Sequence, residues 1–206
     1  MKKTSWLLGL AAFAAGCAGV MQSDQEPDAA QVKAVLEQSF HAKGQAKMDR
    51  LDQDDVQRLC SGVTPGHPLD KEAAERLVRE QLAAVKYPAG SLEGDWKRGE
   101  AIAQSGQGKQ YSDDPSKPSG GNCYACHELT REELSFGTIG PSLYQFGRKH
   151  GFTPESRKYV YGKVYNSQAF VACSSMPRFG HKGILTEQQI KDVTALLTDP
   201  ASPVNK

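Results

Sequence analysis

The sequence predicts an all-α fold, and three stretches carry that expectation. Val32, Val35, Leu36 and Phe40 recur at helical spacing, so one face of a helix would be apolar. From Leu69 to Val85 the pattern returns through Ala74, Leu77, Val78 and Leu82. Near the end of the chain, Thr186 and Gln189 form a capping box ahead of Ile190, Val193, Leu196 and Leu197, and Asp199-Pro200 stops that helix.

Taken in order, the chain begins with Met1-Lys-Lys-Thr-Ser-Trp, continues through the apolar run to Phe13 and finishes the stretch at Ala14-Ala15-Gly16-Cys17. A basic start, an apolar middle and a small-residue finish have the form of an export signal over residues 1–17. The apolar middle is too short to span a bilayer, and no later segment is continuously apolar for the roughly twenty residues that spanning needs. The mature protein is therefore expected outside the cytoplasm, in the periplasm. Ala14-Ala15-Gly16-Cys17 resembles a bacterial lipobox, which makes Cys17 a candidate for acylation and for a lipid anchor. The usual leucine three places before the cysteine is absent, and ordinary cleavage after Ala14 or Ala18 is the competing reading.

Removing the signal leaves about 190 residues, enough for one or two small domains. A polar tether through Ser23 to Pro27 leads to the first periodic segment. Asp70 is placed to cap the second, Thr64-Pro65-Gly66-His67-Pro68 marks a turn between them, and Tyr87-Pro88-Ala89-Gly90-Ser91 closes the region. Residues 18–90 thus read as a tether and a helical N-terminal extension with no catalytic constellation. Residues 91–206 are expected to form the unit that carries the chemistry. It starts with a short helix from Trp96 to Ser105, followed by a flexible stretch from Gly106 to Gly121. Gly99 inside that helix costs up to about 1 kcal/mol against alanine, which points to close approach by another element, and the C-terminal helix is the natural partner. The formal net charge of +1, with acidic and basic residues evenly mixed, argues against a nucleic-acid partner and for protein partners.

The chemistry is concentrated in Asn122-Cys-Tyr-Ala-Cys-His-Glu128. Two thiols three positions apart can meet the two vinyl groups on one porphyrin edge, and the following His127 then lies beneath the iron. The arrangement is that of covalently attached haem c, one group per chain. A dithiol redox pair or half of a zinc site would use the same two cysteines. Zinc would need a fourth ligand from His150, His181 or Cys173, and the flanks Gly120-Gly121 and Glu128-Leu129 lack the strand-to-helix pattern of a thioredoxin-type site. With Cys17 in the signal and Cys123 and Cys126 assigned to haem, Cys60 and Cys173 remain as two thiols in an oxidising compartment. A disulfide between them is the working expectation, and two independent buried thiols are the other reading.

An electron-transfer haem commonly sets Met opposite His, because a thioether favours reduced iron. Beyond the signal and Met21 only Met48 and Met176 remain, and Met176 sits in Cys173-Ser-Ser-Met-Pro-Arg-Phe-Gly180, where Pro177 stiffens the loop. His127 and Met176 are the expected iron ligands, with Cys173, His150 and His181 as rivals. A lone Met is also a common core filler.

A helix before the motif and another at the chain end resemble the arrangement of small class I cytochromes c. In that fold a Gly-Pro presents a carbonyl to the axial histidine, which places Pro141, in Thr138-Ile-Gly-Pro-Ser-Leu143, beside His127. A narrower resemblance rests on Gly121-Asn-Cys-Tyr-Ala-Cys-His127, Gly137-Thr-Ile-Gly-Pro-Ser-Leu143, Met176-Pro-Arg-Phe-Gly-His181, Gly183-Ile-Leu-Thr186 and Asp199-Pro-Ala-Ser-Pro-Val-Asn205. These runs, in roughly the C-terminal half, are similar to SoxX, the monohaem cytochrome of bacterial thiosulfate oxidation.

That resemblance implies a heterodimer with a SoxA-like cytochrome, which oxidatively joins thiosulfate to a cysteine on a SoxYZ-like carrier. It makes this chain the electron-accepting subunit of an L-cysteine S-thiosulfotransferase, with a downstream soluble cytochrome c as acceptor. No catalytic residue is then expected on this chain, since a His/Met iron is coordinatively saturated and bond chemistry needs the partner's site. Arg178 would bond a haem propionate or, with His181, line the partner interface. The alternatives are an independent mobile cytochrome c that shuttles electrons and a haem-bearing structural lipoprotein without redox duty. The N-terminal extension departs from shorter members of that family.

Overall fold

The computed structural model describes residues 28–63 and 66–206. The expected export signal, Cys17, the tether to Pro27 and the Thr64-Pro65 part of the expected turn lie outside the described residues. Among the described residues the secondary structure is seven α-helices and four short 3-10 turns, with no strand; an isolated bridge joins Lys43 and Ala46. The fold is all-α, as the periodicity predicts. No helix among the described residues is long and apolar enough to cross a membrane.

The chain divides into two units between Ser39 and Phe40. In the first, α1 (Ala29–Ser39) begins where Asp28 Oδ1 accepts from the Ala30 amide at 2.9 Å, and none of its residues is buried. Its Lys33–Glu37 pair, 3.7 Å apart and exposed, contributes a few tenths of a kcal/mol at most.

Six helices form the second unit. The first, α2 (Asp55–Ser61), has a complete capping box: Asp54 accepts from the Gln57 amide and the Gln57 side chain returns to the Asp54 amide. Asp70 caps α3 (Lys71–Ala83) by accepting from the Ala73 amide at 2.9 Å, and Ala73 and Leu77 are the residues this helix buries. Then come α4 (Trp96–Gln104), α5 (Phe146–His150), α6 (Pro154–Tyr165) and α7 (Glu187–Thr198), the last carrying the expected Thr186/Gln189 box.

The expected reason for Gly99 holds. A Cβ built on it would lie 2.1 Å from the Asp192 carbonyl oxygen and 3.0 Å from Leu196 Cβ, so α4 can seat on α7 only through a glycine. Around that seat Ala103, Leu129, Ile190, Val193 and Leu196 are buried, each large aliphatic contributing about 1.5–3 kcal/mol relative to exposure. Asp192 closes the contact: Arg98 donates to both carboxylate oxygens at 2.8 and 2.9 Å, and the Asp95 amide adds a third bond at 2.9 Å. Burial raises the Asp192 carboxyl's pKa, but these donors hold it below its ordinary value.

The C-terminal tail is a cap in the extended sense. Ser202 Oγ donates to the Leu196 carbonyl at 2.5 Å, and Asn205 Nδ2 donates to the Leu197 and Asp199 carbonyls at 3.2 and 2.9 Å. The bonds to Leu196 and Leu197 satisfy carbonyls that α7 leaves without intrahelical donors. The amide oxygen of Asn205 then accepts from the Gly147 amide at 2.8 Å, fixing α5 to the same end.

Two helices of consequence are absent from the periodicity argument. The sequence of α6 is apolar or polar on all sides, so no stripe marks it, although Thr153 as N-cap and Pro154 at the first helical position announce it. At seven residues α2 is too short for a period to repeat. A disulfide joins Cys60, in α2, to Cys173, 113 positions later.

Candidate functional site

The motif is delivered by the C-terminal end of α4. The Gly121 amide donates to the Ile102 carbonyl at 2.8 Å and the Asn122 amide to the Ser105 carbonyl at 2.9 Å, so the chain doubles back on the helix before Cys123. Asn122 takes a left-handed conformation with φ of 47°, and Cys123–Ala125 then form a 3-10 turn. Both Cys126 and His127 donate their amides to the Cys123 carbonyl, at 3.1 and 2.9 Å. Buried Tyr124 and Leu129 anchor the turn in the core, and Cys123 packs against the same core.

Opposite the turn lies the loop through Gly137 to Leu143. The Gly137 amide bonds the Tyr124 carbonyl, the Gly140 amide bonds the Cys126 carbonyl, and the Leu143 amide bonds the Glu128 carbonyl, each at 2.8 Å. Those bonds bring the Pro141 carbonyl oxygen 2.7 Å from His127 Nδ1. Nδ1 must then carry the proton, which leaves Nε2 with its lone pair as the ligating atom. Gly140 lies beneath the ring: a Cβ there would sit 2.2 Å from Cε1 and 2.5 Å from Nδ1. The imidazole is thus fitted against bare backbone on one side and oriented by a carbonyl at its edge. A helix leading into a C-x-x-C-H turn, a Gly-Pro carbonyl on the histidine and a closing helix seated on the first make this a class I cytochrome c-like domain.

These residues fit a covalently held haem. Cys123 and Cys126 are the free thiols among the described residues. Although Cys123 is only half-buried as a residue, its thiol is shut in, and desolvation, with a smaller push from Cys126, drives its pKa up to about 12. A thiol kept protonated by burial is a poor redox nucleophile, while a thioether sulfur carries no charge to bury. The rival fourth zinc ligands are dispersed: Cys173 is spent in the disulfide and the His150 ring lies against Phe146 with centroids 4.4 Å apart. No group of three or more metal-binding side chains converges among the described residues. At the margin of the core stand Ile102, Leu143, Met176 and Ile184, half-buried apolar side chains of the kind a macrocycle covers.

Met176 lies on a pinned loop. Its amide donates to Ser174 Oγ at 3.3 Å, and its carbonyl accepts from Ser167 Oγ at 2.5 Å. Met48 instead begins the 3-10 turn Met48–Leu51. Arg178 is buried and donates to Asp54 Oδ2 at 2.5 Å, while Lys182 reaches the same oxygen at 2.6 Å. Exposed His181 donates its amide to the Tyr165 carbonyl, and partial burial of its ring, with Arg178 and Lys182 nearby, lowers its pKa below the usual value. Asp54 is the residue that sequence reasoning missed. Its only signal was the capping pattern Asp54-Asp-Val-Gln57, which gives a reason for an aspartate there but none for a contact 124 positions away.

No family model matches the chain. It is 35% identical over 203 residues, 94% of this chain and 95% of the relative, to an uncharacterized lipoprotein of Aquifex aeolicus. Among solved structures, the crystal structure of SoxXA from P. pantotrophus resembles it with 25% identity and a TM-score of 0.39, over 56% of this chain and 88% of that one.

Proposed function

This chain belongs to the family of the Aquifex aeolicus lipoprotein, and we propose that it is an exported monohaem cytochrome c that transfers electrons. The observation that carries the reading is the Pro141 carbonyl on His127 Nδ1, at 2.7 Å, within a C-x-x-C-H turn. Such a bond orients an axial histidine and raises its donor strength, and it has no purpose in a dithiol enzyme. Cys123 and Cys126 would hold the haem through thioethers, His127 Nε2 would be one axial ligand and the Met176 sulfur the other. When bound, the haem supplies one-electron cycling of its iron. The chain's own contribution would be His127 and Met176 as ligands that leave a substrate no place at the iron, which favours electron transfer over chemistry on a substrate.

The finer reading is that of a SoxX-like subunit. The motif runs at Gly121–His127, Gly137–Leu143 and Met176–His181 support it, and so does the burial of Ser202, Val204 and Asn205 in the tail. In this role the chain pairs with a SoxA-like cytochrome, accepts electrons as thiosulfate is joined to the cysteine of a SoxYZ-like carrier, and passes them to a soluble cytochrome c in the periplasm. Acylation of Cys17 would tether it to the membrane, in keeping with the lipoprotein name of its relative.

The test is the rate at which thiosulfate reduces the ferric holoprotein with the carrier present, with and without a purified SoxA-like partner. Reduction that depends on the partner supports the subunit role. No reduction beside a partner of demonstrated activity leaves the mobile electron shuttle.

A further inference from the structure

The helix α2 touches the Met176 loop at both of its ends. At its C-terminal end Cys60 is bonded to Cys173, three positions before Met176. At its N-terminal end the capping residue Asp54 holds Arg178 and Lys182, two and six positions after it, through a single carboxylate oxygen at 2.5 and 2.6 Å. The loop is therefore fastened on either side of the methionine by a single helix of about two turns.

Two further observations give the fastening a purpose beyond bulk stability. Cys173 lies in the left-handed region, with φ of 54°, where a residue with a Cβ is strained and persists only if its surroundings hold it there. Arg178 is 7% exposed, so its guanidinium has left water and depends on Asp54 for compensation. A strained residue and a desolvated cation flanking one methionine are the marks of a loop held in a particular pose. Further bonds to the loop, Ser167 Oγ to the Met176 carbonyl, Gln168 Nε2 to the Ser174 carbonyl and the Gly180 and His181 amides to the Tyr165 carbonyl, fix its backbone from the side of α6.

We propose that α2 is a clamp on the Met176 loop, with Asp54 and Cys60 as positioning residues that keep the methionine sulfur at the iron; the proposal rests on the haem reading given above. The clamp explains what part of the N-terminal extension does: it restrains the one axial ligand that is carried on a loop, and it keeps Cys173, a stronger competitor for iron, tied away from it.

The experiment uses ferric holoprotein and imidazole as the incoming ligand, with binding followed by stopped flow and the sulfur-to-iron charge-transfer absorption recorded first. Asp54→Asn keeps an N-cap acceptor, since asparagine caps as well as aspartate, while removing the charge that holds Arg178 and Lys182. Cys60→Ser with Cys173→Ser opens the other end. Val204→Ala, a core truncation in the C-terminal tail far from α2 in sequence and contacts, controls for general loosening. Both clamp variants should retain the absorption and bind imidazole at least about fivefold faster than the unaltered protein, with Val204→Ala at the unaltered rate. Equal rates in all four proteins, or an equal rise in Val204→Ala, overturn the clamp, and a rise in only one clamp variant overturns its two-ended form. If the unaltered protein lacks the absorption that Met176→Ala should abolish, the axial-ligand reading fails and the clamp falls with it.

Discussion

Pro141 offers its carbonyl oxygen 2.7 Å from His127 Nδ1, and because a donating Nδ1 forces the neutral ring's lone pair onto Nε2, the side chain has one ligating face. Gly140 makes that approach possible, and its replacement tests the geometry. In Gly140→Ala the new methyl group would begin 2.2 Å from His127 Cε1, so ring or loop must move. Stability should fall by about 1–3 kcal/mol in urea titration, as at other overpacked positions, and the fraction of chains carrying covalent haem should fall with it. Cys123, Cys126 and His127 could be proposed from the sequence because such a motif lies in contiguous spacing. Pro141 came from the family resemblance, since nothing local says which carbonyl will face a ring 14 positions away. Arg178 was legible as important and illegible in detail: the sequence offers it a propionate or a partner, and the structure adds an ion pair with Asp54.

At the scale of elements, the seat of α4 on α7 depends on Gly99. Gly99→Ala would place a methyl group 2.1 Å from the Asp192 carbonyl oxygen, which is backbone and cannot rotate away. The variant should lose 1–3 kcal/mol or more, at the upper end of roughly what overpacking costs, read from the shift of its denaturation midpoint. The contact between α2 and the 173–182 loop has a pH signature. Burial pushes the Asp54 carboxyl up, but Lys182, the Gln57 amide and Arg178 outweigh it and hold the group well below its ordinary value of 3.8. A carboxyl with a depressed folded pKa contributes its full stabilisation above the unfolded value and loses it as pH falls through the folded one. Thermal midpoints should therefore hold steady from neutrality down to about pH 4 and decline below 3.8, and Asp54→Asn should start lower and show a shallower acid decline. The caps of α3 and α7 were readable because a cap is written within four residues. An apolar stripe needs several turns to show, which is why α2 went unread, and α6 has no stripe because it is covered on more than one side.

For the whole molecule, the Cys60–Cys173 bond ties the N-terminal part of the second unit to its C-terminal half across 113 positions. Closing a loop of about 100 residues in the unfolded chain corresponds to about 4.7 kcal/mol in the chain-entropy model, and native disulfides typically contribute about 2–5 kcal/mol. Cys60→Ser with Cys173→Ser should lower stability within that range, measured as a urea midpoint against the unaltered protein under non-reducing conditions. By itself the sequence determined the helical class, the capped helices α3 and α7, the need for a close neighbour at Gly99 and the thiol and imidazole chemistry of residues 123–127. Each of these is encoded by periodicity or by spacing within a few residues, where chain geometry translates directly into position. Only the tertiary structure decided that Cys60 meets Cys173, that Asp54 meets Arg178 and Lys182, and that α2 therefore grips the Met176 loop. Such contacts depend on how distant segments are brought together by the closing of the core, and no local period or motif carries the coordinates of that closure.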